Sequence, residues 1–78
     1  MVTSEHIKEW IEAGLPQSTV TADGDGAHFE AVIICPDFAG KSELQRHRMV
    51  YAALGDKMQQ TIHALSFKAL TVEEAENL

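Results

Sequence analysis

Two of the four histidines in this 78-residue chain carry most of its chemistry. The run "QQTIHALSFKAL", Gln59 to Leu70, reads as a strand in which His63 shares parity with Leu65, Phe67 and Ala69. Ile62, Ala64, Ser66 and Lys68 take the other parity. An imidazole on the apolar face is favoured in its neutral form, because burial disfavours charge. A neutral ring with a free nitrogen is a metal ligand, and a ring bonded to a backbone carbonyl is the structural alternative.

The second histidine stands in "DGDGAHFE", Asp23 to Glu30. Gly24-Asp25-Gly26 is a turn signal, and His28 opens a strand on the face opposite Phe29, where it is accessible. The acids do not make a calcium loop, which needs twelve residues and a terminal glutamate at a fixed offset. No phosphate-binding GxxxxGK[ST] or GxGxxG pattern is present. A plain hairpin turn is the competing reading.

A third group lies in "GKSELQRHRMVYAAL", Gly40 to Leu54. Lys41, Gln45 and Arg48 share an outward stripe, and Arg46 occupies the neighbouring row. This surface suits phosphates or an acidic partner, or is a solvated helix face. Cys35 shares parity with Phe29 and Ile33, so it reads as a small core residue rather than a reactive thiol. As the only cysteine, it excludes an intrachain disulfide and any all-cysteine metal site. No GxSxG elbow or HExxH motif appears, and so short a chain has little room for a pocket of ~300 Å³. We read it as non-enzymatic.

These residues need elements to hold them. Met1 to Leu15 reads as an amphipathic helix capped by Thr3 or Ser4, with Ile7, Ile11 and Leu15 on one stripe and Gly14 and Pro16 as the stop. Gln17 to Asp23 and His28 to Cys35 form a hairpin. Lys41 to Leu54 returns to helical period, with Leu44, His47, Tyr51 and Leu54 as its inward stripe. Asp56 caps a short turn through Gln60. A third strand follows, and Thr71 with Glu74 forms a capping box for a short terminal helix. The third strand follows a helical crossover, so it lies parallel to one hairpin strand. The expected fold is α+β, a small αββαβ sandwich with helices on one face of a three-stranded mixed sheet, in a single domain over 1–78.

Composition sets the limits. The chain is 45% apolar and 23% charged, as in a soluble globule, and a domain this small buries only about 60% of its unfolded surface. No membrane span or targeting segment is legible, so a cytoplasmic address is expected. The net charge of −6 argues against bulk electrostatic binding of nucleic acid.

Taken together, "DGAHFEAVIICPDFAGKSELQRHRMVYAALGDKM" and "IHALSFKALT" resemble the BolA family. The resemblance rests on Phe38-x-Gly40-Lys41, on Gln45-Arg46-His47-Arg48 with Val50-Tyr51, and on Ile62-His63-Ala64-Leu65. It covers nearly the whole chain, and the short "DGAHF" turn resembles the family's IbaG-like branch. The resemblance implies a class II KH-like fold and partnership with a monothiol glutaredoxin around a shared [2Fe–2S] cluster. Thiolates would come from the glutaredoxin and glutathione, and a histidine, His63 here, from this chain. Family members carry a second loop ligand several residues before the aromatic that opens the second strand. Here that place holds Asp25, with His28 directly before Phe29, so His28, Asp25 or His63 alone are the alternatives. Such a cluster suits iron–sulfur trafficking or iron sensing. The resemblance also implies a second role, transcriptional control of stress response and cell morphology, with weak DNA binding through Lys41, Arg46 and Arg48. The free protein is expected to be a monomer or weak homodimer.

Overall fold

The computed structural model describes every residue except Thr61 and His63, together with the backbone but not the side chains of Gln59 and Gln60. The elements are α1 (Ser4–Gly14), β1 (Thr19–Gly24), β2 (His28–Ile34), a 3-10 turn (Pro36–Phe38), α2 (Glu43–Leu54), α3 (Lys57–Gln60), β3 (Ala64–Leu70) and α4 (Val72–Glu76). The sheet has three strands in the order β1-β2-β3, with β1 antiparallel and β3 parallel to the central β2. The expected mixed αββαβ sandwich is the observed fold.

Three helices start on side-chain caps. Thr3 with His6, Ser42 with Gln45 and Thr71 with Glu74 each form a reciprocal capping box, which satisfies two otherwise orphaned backbone donors per helix. The core lies between the sheet and the helices. Ile7 and Ile11 of α1 and Val50 and Leu54 of α2 meet Val20, Phe29, Ala31 and Ile33 of the sheet, with Phe38 and Cys35 beside them. Leu65, Phe67 and Ala69 of β3 pack against this core from the same face.

Two local expectations are corrected and one is extended. Of the expected inward stripe of α2, Leu54 is buried and His47 half-buried, but Leu44 and Tyr51 are exposed, and Val50, with Met49 and Ala53 packed against the core, takes their place. The period was right and the phase was off by about one residue, because Leu44 and Tyr51 carry enough apolar surface to mimic the stripe of Met49, Val50 and Ala53. Gly14 ends α1 as expected, and it does more: a Cβ there would lie 2.6 Å from Ala53 Cβ. It is glycine because α1 and α2 cross at close range at that point. The third strand begins at Ala64, not Gln59, and Ile62 is buried with its N–H bonded to the Lys57 carbonyl, so strand alternation does not extend to it.

Candidate functional site

Asp25 and His28 stand at the end of the sheet where β2 and β3 begin, and Arg46 at the other end, beside Ala69. The β1–β2 turn is built by Asp25, whose Oδ1 accepts the N–H groups of Ala27 (2.9 Å) and His28 (2.8 Å). These bonds hold the Asp25 carboxyl below its ordinary value, the His28 N–H contributing most. Gly26 supplies the positive φ, 98°, that closes the turn. The Asp25 N–H also reaches the His28 carbonyl at 3.2 Å.

His28 therefore leaves a hydrogen-bonded turn at the first position of β2, exposed and opposite the buried Phe29. Its partner across the parallel register is Ala64, the residue that follows position 63 in the chain. Of the two loop candidates, Asp25 has one oxygen committed to the turn, whereas the His28 ring makes no hydrogen bond among the described residues. His63 itself lies outside the described residues. Among those described, no three His, Cys, Asp or Glu side chains converge as a metal site.

Cys35 is fully buried beside Ile33 and Phe38, and burial pushes its thiol up from the ordinary value. It offers no accessible thiolate, so the donor set on the surface of this chain is nitrogen and oxygen.

The basic group separates into two kinds. Lys41 and Arg48 are exposed. Arg46 is turned inward: its side chain is 13% exposed, Nη1 holds Glu74 Oε1 at 2.6 Å and the Ala69 carbonyl at 3.0 Å, and Nε donates to the Lys41 carbonyl at 3.0 Å. The guanidinium also lies 6.0 Å from the centre of the buried Phe38 ring. Hence the run Gln45-Arg46-His47-Arg48 is mostly architecture. Gln45 completes a cap, Arg46 ties α2 to β3 and α4, and His47 packs on Phe67 at 4.5 Å. The signal for the Arg46 role was present in the sequence only as Glu74, a capping residue whose second partner lies 28 positions away.

The expectation of little pocket space needs refining. A groove of about 480 Å³ crosses the helix-free face of the sheet between Thr21, Asp23, Glu30, Ser66 and Lys68. It lies open to solvent on the sheet and encloses nothing. No helix among the described residues is long and apolar enough to cross a membrane.

Comparison with known proteins agrees with this architecture. A family model described as BolA-like protein matches residues 5–74. A BolA protein homologue from Coxiella burnetii has 58% identity and a TM-score of 0.91, covering 97% of this chain and 99% of its own. Yeast Fra2 has 35% identity and a TM-score of 0.78, over 99% of this chain and 87% of its own. Among curated relatives, the DNA-binding transcriptional regulator BolA of Escherichia coli is 38% identical over 70% of this chain. BolA-like protein 2 of Saccharomyces cerevisiae is 38% identical over 94% of it. The chain spans 52% of the length of the former and 64% of the latter. None of these four names describes an enzyme.

Proposed function

The chain belongs to the BolA family, and on that premise we propose that it is a non-enzymatic adaptor that partners a monothiol glutaredoxin and shares a [2Fe–2S] cluster. The reading rests on one observation. The β2–β3 register sets the exposed His28 beside Ala64, the chain neighbour of position 63. The donor chemistry fits a shared rather than a resident cluster, because the one thiol is buried and imidazole is what the surface offers.

In this reading His63 supplies the principal nitrogen and His28 the second. The Asp25 turn, through its bond from the His28 N–H, sets where His28 leaves the loop, and the apolar layer of Leu65 and Phe67 lies at the end of β3 nearest position 63. When bound, the cluster supplies redox-active iron whose potential rises as imidazole replaces thiolate. This chain's part is to position neutral nitrogen donors while the partner and glutathione bring sulfur.

The test is co-expression with a monothiol glutaredoxin and purification without oxygen. A coloured complex holding two irons is expected, with its visible spectrum altered or lost in His63→Ala. An unchanged spectrum and lifetime in that variant would remove the ligand assignment. Failure of the wild-type pair to form any coloured complex would remove the function.

A second reading is supported by the Escherichia coli relative, which is named as a DNA-binding transcriptional regulator. Here Lys41 and Arg48 are the exposed cations of the basic group, Arg46 being engaged internally, and the net charge is −6. Binding through so few phosphate groups is weak and falls with salt. Sequence-selective binding far tighter than the usual nonspecific ~10⁻⁴–10⁻⁶ M, at physiological salt, would put this reading first.

A further inference from the structure

We propose that the outer edge of β3 is a docking site for an extended acidic-apolar segment of a partner protein, which adds to the sheet as a fourth strand.

The backbone specifies the occupant. In a parallel pair, alternate residues turn both their N–H and C=O toward the neighbouring strand and the others turn both away. The Leu70 carbonyl faces β2, since it accepts the Cys35 N–H at 2.9 Å. Leu65, Phe67 and Ala69 therefore face outward. Arg46 takes the Ala69 carbonyl at 3.0 Å, closing the C-terminal end of this edge. No hydrogen bond among the described residues reaches the outward groups of Leu65 and Phe67. A row of unpaired strand groups is a template for another extended backbone.

The side chains beside that edge specify which backbone. Arg46 springs from α2 and reaches Ala69, so α2 runs beneath the edge. The flank of α2 next to it carries the apolar stripe that the single chain fails to bury. Leu44 is 60% and Tyr51 43% exposed, and Tyr51 and His47 both lie against Phe67, at 5.7 and 4.5 Å between ring centres. A strand added at Leu65–Phe67 would rest its inward side chains on this shelf, which calls for apolar residues. Its outward side chains would join the row of Ser66 and the exposed Lys68, which calls for an acid opposite that lysine. A second copy of this chain fits worse: paired edge to edge, it would place both Lys68 side chains on one face with no acid between them.

The probe is an end-blocked seven-residue peptide alternating valine and glutamate, titrated into the full ¹⁵N-labelled chain. Saturating shifts and slowed hydrogen exchange are expected at the Leu65 and Phe67 amides, with little change at Thr21 or Glu30 on the open face. N-methylation of the peptide at alternate residues, on the side that meets β3, should abolish binding. Leu44→Ser, at an exposed position, should weaken it about tenfold, the scale set by leaving one leucine side chain's share of apolar area unburied. Equal binding of the N-methylated peptide, shifts confined to the open face, or saturation of the same amides only by a thymidine oligonucleotide would each overturn the proposal. So would concentration-dependent self-association that protects Leu65 and Phe67 without peptide.

Discussion

Arg46 and Glu74 form a two-point ion pair, with Nη1–Oε1 at 2.6 Å and Nη2–Oε2 at 3.3 Å, across 28 residues of sequence. Glu74 is at the same time the capping residue of α4, its Oε1 accepting the Thr71 N–H at 2.8 Å. One carboxylate thus starts the last helix and receives the clamp that fastens it. Arg46→Met should cost about 1–3 kcal/mol, since it removes a charge-assisted bond and leaves two carbonyls without their donor. Arg46→Lys should not restore it, because a single ammonium does not reproduce the planar fork. Urea unfolding of the two variants measures both effects, and equal stability of wild type and Arg46→Met would contradict the clamp.

Two leucines on α2 separate its faces. Leu54 is 2% and Leu44 60% exposed. Leu54→Ala should destabilise by about 2–5 kcal/mol, and Leu44→Ala by less than about 0.5 kcal/mol. Reversal of that order in thermal melts would mean the helix phase is the one read from periodicity.

Gly14 tests the crossing of α1 and α2. Alanine at a helical glycine ordinarily gains about 1 kcal/mol in propensity. Here the new methyl group meets Ala53 Cβ at 2.6 Å and Cα at 2.7 Å, so Gly14→Ala should instead destabilise by about 1–3 kcal/mol. Adding Ala53→Gly should recover only part of the loss, because it removes the methyl group at position 53 but leaves that residue's backbone just as near. A stabilised Gly14→Ala would refute the close approach.

Acid should weaken the fold with a definite sign. Glu12, held chiefly by Lys8 at 2.6 Å and by the Val20 N–H, has its carboxyl lowered from the ordinary 4.5. Asp25 is lowered by the His28 and Ala27 N–H groups, and Glu74 by Arg46 first and Thr71 second. A carboxyl with a depressed folded pKa binds more protons when unfolded. The stability it contributes is fully present above the unfolded value and drains as pH falls through the folded one. Urea midpoints should hold from neutral pH to about 5 and fall progressively below about 4. The drop should be shallower in Glu12→Gln. Midpoints that rise on acidification would reverse the assignment.

Cys35 is 0% exposed, and its thiol is raised chiefly by burial. Aromatic disulfide reagents should therefore label it only through unfolding, at a rate that follows stability across the variants above. Fast labelling of the native chain, independent of those variants, would show an open thiol.

Much of the site was legible because its cues are local. The turn at Gly24–Gly26, the strand opened by His28 and the cap at Thr71 depend on residues within four positions of one another. Short-range steric and hydrogen-bond preferences therefore announce them. The outward position of His28 follows from alternation against Phe29, a pattern that a two-sided strand with one buried face imposes on its own sequence. The arrangement around Arg46 was not legible, since a cation on a helix looks the same whether it meets solvent or a carbonyl 23 residues on.

The sequence by itself determined the order of the α-helices and strands, the mixed sheet and the core role of Cys35, all consequences of periodicity and of connection length; the 3-10 turn at Pro36–Phe38 was not read from it. Only the tertiary structure decided which of two apolar stripes of α2 faces inward, that Gly14 marks a crossing, and that Arg46 belongs to the scaffold while Lys41 and Arg48 remain outside. It also set His28 beside Ala64. Each of these depends on how helices and strands distant in the chain meet, and that geometry is selected by the packing of the whole core, which no local pattern encodes.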